Sequence, residues 1–116
     1  SLVVGVCSDE EVSSYKRTPI LNFAQRSLMV SGCRIVDEVI APAPCITTKE
    51  LIEKFAIDLV IATDGYSKKV LEKYYGDPKS MGILELVPYD KSISTTEIIN
   101  KCYDQYVACG GQLGSL

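Results

Sequence analysis

The amino-acid sequence predicts an α/β fold, a parallel β-sheet with flanking helices. Short apolar runs rich in β-branched residues alternate along the chain with segments of helical periodicity. These runs lack the polar alternation of a strand with one solvated face, as expected for strands covered on both sides. The 116 residues, 47% of them apolar, are enough for a single hydrophobic core. Because such sheets bind ligands beyond the carboxyl ends of their strands, the loops that follow the strands are the candidate sites.

The first half of the chain predicts two strands separated by a loop and a helix. The run LVVGVC (2–7) predicts the first strand, and the charged segment 8–18 predicts a loop. Residues 19–33 predict a helix that is capped near Asn22 and closed by a glycine near its end. The run VDEVIA (36–41) predicts the second strand, which two prolines then terminate.

The next helix and strand have clear boundaries. Residues 47–56 predict a helix in which Thr47 and Glu50 form a capping box and an apolar stripe follows. The run IDLVIAT (57–63) predicts a third buried strand. Beyond it, residues 67–75 predict a shorter helix that Gly76 and Pro78 end, and residues 82–88 predict a fourth strand.

The segment SISTTEIINK (92–101) predicts the start of the last helix. Ser94 and Glu97 have the spacing of a capping box, which alone explains this stretch. The amino terminus of a helix at the carboxyl edge of a parallel sheet also presents unpaired N–H groups and a partial positive charge to a phosphate. We therefore expect one domain over residues 1–108, with this helix as its last element, and a flexible tail at 109–116.

Composition excludes several classes of protein. The net charge of −3 argues against binding to nucleic acid, and no apolar run is long enough to span a membrane. Five cysteines without a Cys-x-x-Cys pair favour reduced thiols and a cytoplasmic location. Since the chain contains no histidine, its chemistry must use basic side chains, carboxylates, hydroxyls or an external metal ion. Because the chain begins with serine rather than methionine, we expect it to belong to a longer gene product.

Charged residues follow two of the predicted strands. Lys16 and Arg17, in the loop after the first strand, could close over an anionic substrate or form an ordinary solvated turn. Asp64 begins an Asp-Gly turn after the third strand, where it could shape the turn or contact a metal ion or a ribose hydroxyl. Arg26 lies on the first predicted helix, and the residue pattern alone predicts an ordinary surface arginine there.

Four segments, in order and spacing, resemble the cytidylyltransferases of phospholipid synthesis, the choline-phosphate and ethanolamine-phosphate enzymes. These segments are LVVGVCSDEEVSSYK, RSLMVSGCRIVDEVIAPAP, IDLVIATDG and ISTTEII, and the resemblance covers residues 2 to about 107. It implies a Rossmann-like fold of the nucleotidyltransferase type. It also implies transfer of CMP from CTP, with Mg²⁺, to phosphoethanolamine or phosphocholine, and pairing as a homodimer or with a second such domain.

The resemblance also implies roles for particular residues. Lys16 would be catalytic and contact substrate phosphate, while Asp9 and Arg26 would line the active site. The nucleotide would be bound by five residues, and no residue of this chain is implied as a metal ligand. The five are Asp64, Ile93, Ser94, Thr95 and Thr96.

The sequence departs from the family pattern at several positions. A first strand–helix unit with a His-x-Gly-His motif, which in the family precedes the segment matching Leu2, is not part of this chain. Tyr89 stands where the family has an arginine, Ser92 where it has a glycine, and Ala62 where it has a histidine. The resemblance therefore leaves open a second role, that of a degenerate domain with a regulatory, nucleotide-binding or dimerisation function.

In the family fold, the strand of that first unit lies at the centre of the sheet, between the strands matching 2–7 and 57–63. Without it, two interior edges would be left with unpaired N–H and C=O groups. We expect one of three solutions: a longer chain that supplies the strand, a partner chain that supplies it, or closure of the two strands against each other.

Overall fold

The computed structural model describes residues 1–112 and 114, and its elements alternate between strand and helix as predicted. The tail predicted at 109–116 lies partly outside the described residues, and its flexibility stays a prediction. In chain order the elements are β1 (Val3–Gly5), α1 (Asp9–Ser13), α2 (Phe23–Ser31), β2 (Glu38–Ile40), α3 (Lys49–Lys54), β3 (Val60–Thr63), α4 (Lys68–Ser80), β4 (Leu84–Val87) and α5 (Thr95–Ala108).

The described strands form two separate parallel pairs rather than one continuous sheet. β1 pairs with β2, with Val4 opposite Val39, and β3 pairs with β4, with Ala62 opposite Leu86. β1 and β3 are not hydrogen-bonded to each other, so each keeps an open edge in the described part of the chain. Of the three expected solutions, closure of these two strands against each other is therefore wrong. Parallel pairing of strands that alternate with helices confirms the predicted fold class, a Rossmann-like α/β arrangement.

The gap between the two strand pairs leaves the molecule elongated and its apolar surface exposed. The radius of gyration is 17.2 Å and the longest axis 55 Å, whereas a compact domain of this length has a radius of about 13 Å. The accessible surface is 8846 Å², against about 6,200 Å² for a compact protein of this mass. On β3 and β4, Ile61 and Leu86 are 53% and 45% exposed. The strands thus present apolar surface that a closed sheet would bury.

The buried core is small and is divided between the two halves. Val6, Val12 and Ala43 are buried around the β1–β2 pair, and Ile52 on α3 is 3% exposed. Gly5 lies so close to this core that an added Cβ would stand 2.8 Å from the Cβ of Ala43. Ala62, at the position where the resemblance implies a histidine, is buried in β3. This position is therefore occupied by core packing rather than by a polar group.

Local capping residues set most of the helix starts. Asn22 caps α2 and forms a reciprocal capping box with Gln25, as the sequence predicts near this position. The prediction of a loop over 8–18 is wrong at its start, because the Ser8 side chain accepts a hydrogen bond from the Glu11 N–H and begins α1. Three acidic residues in its first turn favour this short helix through the helix dipole.

The start of α3 differs by one residue from the prediction, and the reason lies in α4. Thr48 rather than Thr47 caps α3, and the Thr47 N–H donates to the Tyr74 carbonyl oxygen at 2.9 Å. That carbonyl is available because Pro78, four residues later, has no N–H to donate to it. The two strand pairs are thereby joined through a carbonyl that a proline has freed.

The helix α4 also runs further than predicted. It continues to Ser80 through a kink at Tyr75, instead of ending before Gly76. Pro78 is tolerated because it lies in the first turn of the segment beyond the kink, where a missing N–H costs little. Pro78 is fully buried, so this segment forms part of the core. Among the described residues, no helix combines the length and the apolar character needed to cross a membrane.

Candidate phosphate-binding site

The segment that leads into α5 holds the helix terminus in a defined conformation. The Asp90 carboxylate accepts a hydrogen bond from the Ser92 N–H at 2.8 Å, and this bond lowers the pKa of Asp90. Ser94 and Glu97 form the predicted capping box, with bonds of 3.2 Å and 3.0 Å between each side chain and the other's N–H. Ile93, just before the cap, is about half exposed. The cap is therefore confirmed, and it leaves the first turn of α5 facing solvent.

Two backbone donors at the start of α5 stay unpaired among the described residues. The N–H groups of Thr95 and Thr96 have no hydrogen-bond partner there, because the capping box pairs only the N–H groups of Ser94 and Glu97. Their hydroxyls lie beside these donors. Together with the positive end of the dipole of a 14-residue helix, they form a place where an anion can bind.

Arg17 brings a full positive charge to this helix terminus. Its Nη2 donates to the Thr96 Oγ1 at 2.8 Å, although the two residues are 79 positions apart in sequence. Arg17 follows α1, so the contact joins the carboxyl end of the β1–β2 pair to the helix that follows β4. A guanidinium beside unpaired N–H groups matches the geometry and charge of a phosphate.

Lys16, the residue implied as catalytic, does not contact α5 in this structure. Its Nζ lies 5.7 Å from the centre of the Tyr15 ring. The sequence predicted that Lys16 or Arg17 could close over an anionic substrate, and in the structure it is Arg17 that reaches the helix terminus. No sequence pattern links Arg17 to Thr96, because their proximity depends on how the two strand pairs are arranged. The catalytic role of Lys16 stays a prediction.

Asp64 lies in a turn that Tyr89 holds in place. The Asp64 carboxylate accepts a hydrogen bond from the Tyr89 N–H at 3.0 Å. The Tyr89 ring packs on Gly65 so closely that an added Cβ would stand 3.1 Å from it. Tyr89, where the family pattern has an arginine, thus joins the turn after β3 to the loop after β4. The contacts support a structural role for Asp64, and its part in nucleotide binding stays a prediction.

Asp9 and Arg26 form an ion pair between α1 and α2. The Arg26 Nη2 lies 2.6 Å from the Asp9 Oδ1, and the Phe23 N–H donates to the other carboxylate oxygen at 3.1 Å. The Nε of Arg26 donates in turn to the Leu21 carbonyl oxygen. These contacts hold the pKa of Asp9 below its usual value. The hydrogen bond from Arg26 has the larger effect and the bond from the Phe23 N–H the smaller. The ion pair thus holds Arg26 at the wall of a cleft that Tyr15 also lines.

The Asp9–Arg26 pair predicts a loss of stability in acid. A carboxyl whose pKa is lowered by folding stabilises the protein above its unfolded pKa, and this contribution is lost as the pH falls through the folded value. We expect the free energy of unfolding to decline below about pH 4 and to decline less in Asp9→Asn. Urea unfolding between pH 6 and pH 3 measures this, with Asp104→Asn on the exposed side of α5 as the control. Equal slopes for the two variants would contradict the role of the pair.

The described residues do not form a magnesium cage of their own. Mg²⁺ prefers oxygen ligands, and the carboxylates of Asp9, Asp64 and Asp90 are each already hydrogen-bonded to backbone or arginine. No three carboxylates converge in the described part of the chain. The described residues therefore offer no magnesium site of their own, and the need for Mg²⁺ with CTP stays a prediction.

Comparison with known proteins identifies the family. Residues 1–101 match the model of the cytidylyltransferase-like family. The chain is 35% identical over 117 residues to choline-phosphate cytidylyltransferase A of Rattus norvegicus. This alignment covers 97% of the chain and 32% of that protein. It is 37% identical over 106 residues to ethanolamine-phosphate cytidylyltransferase of Arabidopsis thaliana. This second alignment covers 86% of the chain and 25% of that protein.

These relatives bear on the predictions in two ways. The resemblance inferred from the sequence motifs is confirmed, and both kinds of enzyme that it implied are among the relatives. The chain spans between about a quarter and 37% of the length of the curated relatives it matches, so the activity of a whole relative does not transfer to it directly. The match extends through the candidate site as far as Lys101 on α5. This chain belongs to the cytidylyltransferase-like family.

Proposed function

We propose that this chain is the nucleotide-binding part of a cytidylyltransferase. The enzyme would transfer CMP from CTP to phosphoethanolamine or phosphocholine, giving a CDP-alcohol and pyrophosphate. The observation that carries the proposal is the contact between Arg17 and Thr96, which sets a guanidinium beside the unpaired N–H groups of α5. Family membership supports the same reaction class, and the names of the relatives supply the two alcohols.

In this proposal the residues of the chain act by binding and orienting the phosphates. Arg17, the Thr95 and Thr96 N–H groups and the helix dipole hold the triphosphate of CTP and neutralise its charge. Lys16, on the same loop as Arg17, reaches the phosphate of the second substrate, for which an ammonium on a flexible side chain is well suited. Mg²⁺ bound to CTP would add charge neutralisation at the transferring group.

Turnover in this proposal requires a strand between β1 and β3. Two open strand edges and a surface far above that of a compact domain support this requirement. The resemblance implies that the strand belongs to a strand–helix unit with the His-x-Gly-His motif. We propose that the unit is supplied by a longer chain, and that the finished domain acts in the cytoplasm, paired with a second such domain.

The proposal predicts that the 116-residue chain makes no CDP-alcohol by itself. Fusion behind the His-x-Gly-His strand–helix unit of a family member is expected to convert labelled CTP and phosphoethanolamine or phosphocholine, with Mg²⁺, into the CDP-alcohol and pyrophosphate. A fusion with both motif histidines changed to alanine keeps the strand and serves as the matched control. Product from the unfused chain, or equal turnover by the two fusions, would overturn the requirement.

A second candidate function is nucleotide binding without catalysis. Its support is that Tyr89 and Ala62, which replace a family arginine and a family histidine, both have packing roles. A domain of this kind would bind CTP at α5 and regulate or pair with an active domain. The fusion experiment separates the two candidates, since this one predicts CTP binding by the fused protein but no CDP-alcohol with either substrate.

A further inference from the structure

Two cysteines and a glutamate converge at the carboxyl end of the β1–β2 pair. Cys7 follows β1, Glu11 lies on α1, and Cys45 lies between β2 and α3. Their Sγ and carboxylate oxygen atoms are all within 4.8 Å of one another. Backbone hydrogen bonds hold the two cysteine-bearing segments together. The Val6 N–H donates to the Ile40 carbonyl oxygen, and the Val6 carbonyl oxygen accepts from the Ala43 N–H. The cluster is thus built by the strand pairing rather than by chance contact of exposed side chains.

We infer that Cys7, Glu11 and Cys45 form a binding site for a thiolate-preferring divalent metal ion, of which Zn²⁺ is the representative. Cysteine sulfur and glutamate oxygen are each zinc ligands, and zinc in proteins is tetrahedral with either four protein ligands or three and a water. With metal–ligand distances of about 2.3 Å to sulfur and about 2.1 Å to oxygen, the donor atoms of such a site stand roughly 3.6–3.8 Å apart. Because the observed donor atoms are within 4.8 Å of one another, their separations need to shorten by no more than about an ångström to reach this geometry.

The ligand chemistry distinguishes this site from the magnesium of the proposed reaction. Thiolates select zinc and related soft ions, whereas Mg²⁺ prefers carboxylate, phosphate and water oxygens. Three protein ligands leave the fourth tetrahedral position for water. The inference therefore stands whether or not the chain binds CTP.

Binding is written as an exchange of protons for the metal ion. Zn²⁺ displaces one proton from each of the Cys7 and Cys45 thiols, forms two zinc–sulfur bonds and is bound by the Glu11 carboxylate, with no change of oxidation state. Burial, and next the neighbouring Cys45, raise the pKa of the Cys7 thiol to about 12. The Cys7 thiol therefore carries its proton before the metal ion arrives and releases it on binding.

Surrounding residues link this cluster to the loop that carries Arg17. The hydroxyl of Tyr15 lies 3.9 Å from the Cys45 Sγ, and the Tyr15 ring packs 5.8 Å, centre to centre, from the ring of Tyr74. A metal ion would therefore join α1 to the segment before α3, next to a contact between the two halves of the molecule. We expect it to raise the stability of the chain, as any ligand that binds only the folded state does.

Titration of the reduced chain with Co²⁺ under anaerobic conditions tests the inference. The expected result is one Co²⁺ per chain, with the intense visible absorption of tetrahedral cobalt and a thiolate-to-cobalt charge-transfer band, both lost when Zn²⁺ is added. Cys7→Ser and Cys45→Ser should abolish the charge-transfer band or halve its intensity. Glu11→Gln should weaken Co²⁺ affinity at least about tenfold.

The chain provides its own matched control, because its other three cysteines are exposed and lie outside the cluster. Cys102→Ser on α5 should leave the Co²⁺ spectrum and affinity unchanged. Circular dichroism of each variant detects loss of fold, and exposed Glu11 carries the test if a cysteine variant unfolds. The inference is overturned if the reduced chain gives no tetrahedral cobalt spectrum, or if Cys102→Ser lowers the affinity as much as Cys45→Ser does.

Discussion

Replacing Arg17 with alanine is expected to weaken CTP binding by about 10- to 150-fold. That range corresponds to the roughly 1.5–3 kcal/mol that a hydrogen bond to a charged group contributes. Arg17 donates at 2.8 Å to Thr96, the residue whose own N–H also faces the proposed phosphate. Removing the guanidinium therefore removes the one full positive charge seen in contact with this helix terminus among the described residues. Isothermal titration of CTP into the wild-type and variant chains measures the change.

A second arginine separates the local effect from the effect of net charge. Arg34 lies between α2 and β2, at the amino end of that strand, whereas phosphates are proposed to bind at the carboxyl ends. Arg34→Ala makes the same change in net charge and should alter CTP affinity less than about threefold at physiological salt, where distant charges are screened. Equal losses for Arg17→Ala and Arg34→Ala would show that CTP responds to overall charge and not to this site.

Replacing Ile52 with alanine is expected to lower the free energy of unfolding by about 2–5 kcal/mol. Ile52, on α3, is 3% exposed in a core that contains few other buried residues. The loss combines the transfer energy of the deleted methyl groups with the cavity they leave. In so small a core there is little else to offset this cost. Urea unfolding followed by circular dichroism measures it from the shift of the midpoint.

The control for Ile52 is another isoleucine in the open part of the structure. Ile35, between α2 and β2, is 74% exposed. Ile35→Ala should therefore change the free energy of unfolding by less than about 0.5 kcal/mol. If Ile35→Ala instead costs as much as Ile52→Ala, the apolar surface of the chain is covered in solution. The open arrangement of the two strand pairs would then be wrong.

Local signals in the sequence predicted most of the helices and strands. Ser94 with Glu97 and Asn22 with its helix were recognisable because a cap depends on residues three or four positions apart. The same signal was present at Ser8 and Glu11, where the charged character of the segment concealed a short helix. The extension of α4 beyond Gly76 depended on tertiary packing, because Pro78 is buried in the core. The local sequence pattern, a glycine followed by a proline, predicts only the end of a helix and not this burial.

The candidate site was less predictable, because its parts come from distant segments. The helix terminus at Thr95 and Thr96 could be found from the sequence, and so could the basic loop at Lys16 and Arg17. Their meeting could not, since it requires the arrangement of two strand pairs that do not share a sheet. The proximity of Cys7 and Cys45 had a usable signal, because each follows one of two neighbouring parallel strands.

Backbone amide shifts recorded during a CTP titration test the central claim most directly. In a ¹⁵N-labelled chain, we expect the largest changes at Thr95 and Thr96, whose N–H groups have no partner among the described residues and would bind phosphate. Arg17 should respond with them, while Arg34 and Ile35 should not. Saturable changes centred on the start of α5 would support the site. If CTP leaves these amides unmoved, or shifts residues elsewhere instead, the helix has a cap but no phosphate site.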